Sequence, residues 1–392
     1  MRFFPALASL LTSLALLFSP SRAAAEAELR AAWVASVANL NFPSRAGLNA
    51  TAQQEQIRRL VAVAADRGLN ALMVQVRPEA DALYPSRLEP WSRFLTGTQG
   101  GDPGYDPLAS FIDEGRRRGV AVHAWLNPYR AASSASASRA GNHVTRGALA
   151  GATRRVGKML WLDPGEPAVR EHVTRVVEDL LRRYPALAGI VVDDYFYPYP
   201  DSGLPRGTFP DDATYAKYRS GGGNLALADW RRENVNQLIR GLHRTVHATR
   251  SGARFGVSPF GIYRPNVPPG VEARLDMFAD LYADPVRWLR EGSVDYLSPQ
   301  LYWPDKGPQS YSALLQWWRS PEVNPQGIPI YPSIAVDRLG GEGFNWPVTE
   351  IARQLQLERT IGPRAGGGFI LWSIGPLLRD QKGVGNVVAG AR

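Results

Sequence analysis

Short, apolar, β-rich runs recur along this chain at Ala31–Val37, Ala71–Val76, Val120–Leu126, Gly189–Val192, Phe255–Pro259, Val294–Leu301, Ile328–Val336 and Gly367–Ser373. Between them lie stretches of helical periodicity: Ala52–Arg67, Pro107–Arg118, Pro167–Tyr184, Leu225–Thr249, Pro285–Glu291, Tyr311–Arg319 and Val348–Thr360. Strands that alternate with helices imply a parallel sheet, and eight strands can close one into a (β/α)8 TIM barrel. Most runs are apolar on both faces, as strands must be when helices cover one side and packed side chains fill the other. The competing architecture, an open doubly wound sheet, calls for a Gly-rich phosphate fingerprint after the first strand, and none is present. Only Gly375–Arg392 follow the eighth run, so the barrel is expected to end in a short tail rather than a full closing helix.

Residues 1–25 read as a secretory signal: Arg2, an apolar run from Phe3 to Phe18, then small residues around Ala23 and Ala25 where cleavage is expected. The apolar run is short for a bilayer span. Residues 26–392 are then expected to form one exported barrel domain, periplasmic or secreted. The chain has no Cys, which excludes both a disulfide and a lipid joined through Cys. The domain must be held by its core alone, and no stable membrane anchor is expected; the chain is expected to act as a monomer. The formal charge of +9 includes Arg2 and Arg22, leaving 9 − 2 = +7 without them. A basic balance favours anionic partners. Much of it, however, is arginine on predicted helices ("EGRRRG", "DLLRRY", "DWRREN"), which read as solvated faces. Nucleic acid is disfavoured by the export signal and by the absence of a recognised binding motif.

The long insertions all follow strands: Pro78–Asp106 the second, Ala131–Lys158 the third, Asp201–Asn224 the fourth and Gly261–Tyr282 the fifth. In a barrel these are the catalytic-face loops. The segment "RAASSASASRAGNHVTRGALAGATRR" is biased to Ala, Ser and Gly and reads as a mobile rim loop. Polar and aromatic residues gather at the strand ends: Arg77 and Glu79 after the second strand, and Trp125, Asn127, Tyr129 and Arg130 at the third. Asp193 and Asp194 end the fourth, followed by Tyr195 and Tyr197. Tyr263 follows the fifth, Gln300, Tyr302 and Trp303 the sixth, and Trp372 lies at the eighth.

"GIVVDDYFYPYP" carries the sharpest chemistry. An apolar strand runs into two adjacent carboxylates and then into aromatic rings. Breaking a glycosidic bond needs a carboxylic acid to protonate the leaving oxygen, assisted by a second carboxylate. Doubling the charge and walling it with apolar rings both raise a carboxyl pKa. Flat rings stack on sugar faces while amides and hydroxyls read hydroxyl groups. Neighbouring strand residues point to opposite faces, so one of Asp193 and Asp194 aims into the lumen. Asp194, nearer the mouth, is the favoured acid, with Asp193 and Glu79 the other catalytic candidates; a helix cap or loop salt bridge is the structural alternative for the pair.

Other signals weigh less. His243 and His247 have metal-ligand spacing on a predicted helix, but no third ligand accompanies them in sequence, and they read as helix surface. His123 reads as a core or supporting residue, and Trp317 and Trp318 as packing. No G-x-S-x-G elbow supports a Ser nucleophile. Neither a cofactor nor a metal is expected.

The strings "QVRPEADALYPSRLEPWS", "DPLASFIDEGRRRGVAVHAWLNPYR", "WLDPGEPAVREHV", "GIVVDDYFYPYP", "DWRRENVNQLI", "FGVSPFGIYR" and "VDYLSPQLYW", in this order from Leu29 to Ile374, resemble the glycosyl hydrolase-like family 10 proteins. The resemblance implies a (β/α)8 barrel of the bacterial envelope, whose relatives cleave peptidoglycan glycan strands stripped of stem peptides. It implies the Asp193–Asp194 pair as catalytic centre, with Arg77, Glu79, Asn127, Tyr129, Gln300 and Tyr302 lining the groove. Many relatives carry a lipoprotein Cys that this chain lacks. Related barrels use the substrate's own acetamido group as nucleophile, and "VDYLSPQLYW" resembles their sixth strand. The leading expectation is a glycoside hydrolase on an amino-sugar polymer. A wall-binding barrel without turnover, or a hydrolase of another polysaccharide, stands beside it.

Overall fold

The computed structural model describes residues 28–341, 343–361 and 367–391; the expected signal segment lies outside them. Eight strands form the barrel: β1 (Leu29–Val34), β2 (Ala71–Arg77), β3 (Ala121–Leu126), β4 (Gly189–Val192), β5 (Arg254–Val257), β6 (Tyr296–Leu297), β7 (Ser333–Ala335) and β8 (Gly368–Trp372). They lie in the order β7-β8-β1-β2-β3-β4-β5-β6, with neighbours parallel. Parallel bridges from Leu297 to Ile330 and from Gln300 to Ser333 join β6 to β7 and close the ring. The sixth and seventh strands are shorter than their apolar runs because Pro299, Pro329 and Pro332 interrupt regular pairing.

Seven helices follow the strands in turn: α1 (Ala50–Asp66), α2 (Pro107–Arg118), α3 (Pro167–Arg183), α4 (Leu227–Thr249), α5 (Pro285–Glu291), α6 (Tyr311–Arg319) and α7 (Val348–Thr360). Their starts are chemically marked. Asp106, Asp284 and Ser310 accept hydrogen bonds from the first-turn N–H groups of α2, α5 and α6, and Pro opens α2, α3 and α5. After β8 the chain makes two short helices, Ile374–Leu378 and Val384–Gly390, which divide the closing role between them.

Strand parity separates two cores. On β1, Ala31 and Trp33 point inward with Ala71, Met73, Trp125, Val191, Tyr296, Tyr331 and Ile370, whereas Ala32 and Val34 join the layer under the helices. The lumen is therefore packed, and only its C-terminal mouth can receive a ligand.

The Ala131–Lys158 insertion carries regular structure at its two ends. Arg130–Ala132, Thr153–Val156 and Met159–Leu162 form a three-stranded antiparallel sheet beside the mouth. Its anchors come from distant residues: Ser133 N–H donates to Glu79, and buried His143 bonds the Glu79 carbonyl at 3.1 Å. Small side chains give no periodicity, so this pairing was not visible locally. Among the described residues no helix is long and apolar enough to cross a membrane. The arginines of α2 sit on its solvated face, where Arg117 and Arg118 pair with Glu114.

Candidate active site

β4 leaves Val191 in the lumen and Val192 outside it, so parity sends the next residue, Asp193, inward. There Asp193 Oδ2 accepts from Trp125 Nε1 at 2.9 Å and from Asn127 Nδ2 at 3.3 Å. Its Oδ1 is buried and has no hydrogen-bond partner among the described residues. Asp194 turns the other way along the mouth and accepts from the Tyr199 hydroxyl and from Gln300. Gln300 is fixed in turn by donating to the Ser258 carbonyl at 3.2 Å.

Both carboxyls are pushed up. Burial raises Asp193 to about 7, helped by the Asp194 charge and opposed by Arg130. Burial raises Asp194 to about 6 against the lowering effect of the Tyr199 and Gln300 hydrogen bonds. Together the two carboxyls form an acidic dyad. Its neighbours on the lumen side are aromatic. Trp125 meets Trp33 edge-on at 5.1 Å and Trp372 at 5.9 Å, and Tyr302 lies nearly parallel to Trp372 at 6.3 Å. The Trp33 N–H donates to Ser333 Oγ, which also bonds the Tyr302 hydroxyl.

A groove of about 760 Å³ is lined by Arg130, Lys158, Met159, Tyr195, Tyr199 and Asp201 among others, and Tyr199, whose hydroxyl bonds Asp194, connects it to the pair. Arg130 is held by donating to the Pro78 carbonyl while its guanidinium lies 4.9 Å from the Tyr195 ring. Tyr195 and Tyr199 stand 5.5 Å apart.

The structure thus brings together Asp193, Asp194, Trp125, Asn127, Tyr195, Gln300, Tyr302 and Trp372. Trp303 follows them, half-buried, with its ring edge-on to Phe260 at 5.5 Å. Five other candidates lie elsewhere. Arg77 is fully buried: a register shift between Gln75 and Arg77 breaks strand parity, and its guanidinium meets Glu89 and the Asn127 and Pro128 carbonyls. Glu79 is tied to Arg93 and Ser133; despite burial these hydrogen bonds lower its pKa, which suits a loop anchor rather than a proton donor. Tyr129 is buried among apolar residues of the outer layer, where its backbone carbonyl takes the Leu162 N–H. Tyr197 is enclosed edge-on by Phe209 and Tyr282. Tyr263 stacks on Trp317 and donates to Asp284.

His123 lies deep in the barrel beside the Tyr296 hydroxyl, held neutral by burial at a pKa of about 3, and Trp318 is buried packing. Trp33, Tyr199, Ser333 and the groove residue Lys158 were not among the expected site residues, whereas Arg130 had been placed at the end of the third strand. Trp33 could have been found from its parity with Ala31 on an inward face. For Tyr199 the only signal was its place in the aromatic run after the acids.

Residues 28–344 match the family described as glycosyl hydrolase-like 10. The chain belongs to that family. By family it is a glycoside hydrolase. Over 361 residues it is 37% identical to "Glycosyl hydrolase YngK" of Bacillus subtilis, covering 87% of this chain and 67% of the relative. It is 34% identical over 368 residues to "Glycosyl hydrolase DigH" of Escherichia coli K12, covering 86% and 81%. Its fold is similar to that of the PgaB (BpsB) glycoside hydrolase domain from Bordetella bronchiseptica, with a TM-score of 0.58, 14% identity, and 92% of this chain and 98% of that one covered. The endo-β-1,4-mannanase of Thermotoga petrophila follows at 0.52, 11% identity, and 90% and 68% covered. At such low identities these two likenesses speak for the barrel alone.

Proposed function

We propose that this glycoside hydrolase cleaves an amino-sugar polymer, with denuded peptidoglycan strands as the substrate and the Asp193–Asp194 dyad as the catalytic centre. The observation that carries the reading is the dyad itself: two fully buried carboxyls, both raised, at the floor of an aromatic mouth. A carboxyl that keeps its proton near neutrality is the acid that glycosidic cleavage needs.

Asp193, which strand parity aims inward and whose Oδ1 has no hydrogen-bond partner among the described residues, is assigned as proton donor, which reverses the order the sequence favoured. It protonates the glycosidic oxygen as the C1–O bond breaks. The acetamido oxygen of the same sugar attacks C1, forming an oxazolinium ring. Asp194, oriented by Tyr199 and Gln300, accepts the acetamido N–H and balances its positive charge. Water then opens the ring at C1 while Asp193, now ionised, takes its proton, so the enzyme returns to its starting state with retained configuration.

Support for the denuded strand comes from charge. Removing a stem peptide leaves each lactyl group as a free carboxylate, and Arg130 and Lys158 on the groove outnumber its single acid, Asp201. Export to the envelope through residues 1–25, without a stable anchor and as a monomer, completes the reading. Digestion of peptide-free glycan strands, intact sacculi and a neutral mannan, with mass analysis of the fragments, tests it. Release of N-acetylated fragments from peptide-free strands alone is expected. Cleavage of mannan with no action on the strands would overturn the substrate, and inertness toward every glycan would overturn the dyad's role.

A further inference from the structure

At the end of the barrel opposite the dyad, the fold supplies what the sequence lacked for the histidine pair. His243 and His247 lie four residues apart near the end of α4, so one helix face presents both rings, their centroids 4.6 Å apart. Asp295 immediately precedes β6, and its carboxylate stands directly across from them. Oδ1 is 3.3 Å from His243 Nε2 and 3.0 Å from His247 Nε2, and Oδ2 is 3.0 Å from the latter. One ligand atom from each of the three residues falls within a span of 4.8 Å.

We propose that His243, His247 and Asp295 form a structural site for a divalent transition metal, with zinc the best fit. Two imidazole nitrogens and one carboxylate oxygen are the donor types zinc takes, and bonds of about 2.0–2.2 Å in a tetrahedron place ligand atoms about 3.3 Å apart. The observed nitrogen-to-oxygen distances meet that spacing with little movement. All three side chains are about a quarter to a third exposed, so water completes the fourth position. The carboxylate is already fixed, since Oδ2 accepts from Phe255 N–H at 2.6 Å. A bound ion would therefore clamp α4 to the N-terminal ends of β5 and β6. Strands are parallel, so this end of the barrel lies away from the mouth, where stability rather than chemistry is served.

The test uses the full chain without a polyhistidine tag, stripped with EDTA and titrated with zinc chloride. One equivalent is expected to bind, with a rise in thermal midpoint of about 4 °C at a hundredfold excess over Kd. Cobalt is expected to give the intense visible absorption of a tetrahedral site. His247→Gln keeps a hydrogen-bonding group toward Asp295 yet removes the ligand, so zinc affinity is expected to fall about 100-fold or more, at an unchanged metal-free midpoint. Equal zinc affinity and equal thermal shift in the two proteins would overturn the site and leave an ordinary histidine–aspartate hydrogen-bonded cluster. Loss of glycan turnover on stripping, at a temperature where the metal-free protein stays folded, would overturn its structural role.

Discussion

Glu89 and Asp193 are carboxyls equally withdrawn from water, and the protein treats them in opposite ways. Burial opposes ionisation in both. At Glu89 the Arg77 guanidinium, 2.6 Å away, and His172 at 2.8 Å outweigh it and hold the acid down at about 2. At Asp193 the contacts come from neutral N–H groups, those of Trp125 and Asn127 and the Tyr195 backbone, and the pKa climbs to about 7. The first acid stitches β2 to α3 behind the barrel wall; the second stands unneutralised where the barrel opens. A buried acid with a cation in contact serves the fold. One left without such a cation marks the chemistry.

The largest effect that sharpens this contrast is on turnover. Asp193→Asn is nearly isosteric and removes only the transferable proton, so glycan hydrolysis is expected to fall by about 10²- to 10⁴-fold with binding retained. Rate measurements beside a glycan-binding titration check it. Near-normal rates would remove Asp193 from the proton's path.

Breaking the other side of the comparison should cost stability and not chemistry. Arg77→Ala leaves Glu89 buried without its cation, and a loss of about 3–5 kcal/mol is expected in urea unfolding. The wild-type contribution of Glu89 is present above its unfolded pKa and disappears as pH falls from about 4 to about 2. A small stability loss with a large rise in KM would return Arg77 to the groove.

The sequence made the barrel legible because apolar runs and helical periodicity are local properties, and so is the doubled acid at the end of β4. What it concealed was set by departures from local rule. One register shift in β2 carried Arg77 from the lumen to the outer wall. Tyr129 and Tyr197 follow strand ends as the site tyrosines do, yet Tyr129 is buried in the outer apolar layer and Phe209 and Tyr282 enclose Tyr197. His143 and Ser133 order a loop of small residues through Glu79, more than fifty positions away. Such partners are chosen by tertiary contact, and neither composition nor spacing encodes them.

The two acids should also bend the stability curve in opposite directions. Asp193 has a folded pKa above its unfolded value, so the unfolded chain binds fewer protons between about pH 4 and about pH 7, and stability falls across that window as pH rises. Asp193→Asn cannot ionise and escapes this loss. It is expected to be more stable than wild type by on the order of 1 kcal/mol at pH 8 and nearly equal to it at pH 4. Thermal melts at the two pH values read the difference directly. A variant less stable at pH 8 would mean that the carboxylate is a structural acceptor for Trp125, like Glu89 for Arg77.

The smallest effect separates the members of the dyad. Tyr199 donates its hydroxyl to Asp194, and this bond holds the Asp194 pKa below the level burial alone would set. Tyr199→Phe removes the donor and leaves the ring, so Asp194 should keep its proton to higher pH. With Asp194 ionised and Asp193 protonated in the working state, the acid limb of the pH–rate profile reports Asp194 and the alkaline limb Asp193. The acid limb is then expected to move up by about half a unit to one unit, while the alkaline limb moves slightly down because a neutral Asp194 repels Asp193 less. The bell narrows from its acid side. Were the alkaline limb to move up instead, the proton would belong to Asp194, and the roles assigned from the free oxygen of Asp193 would have to be exchanged.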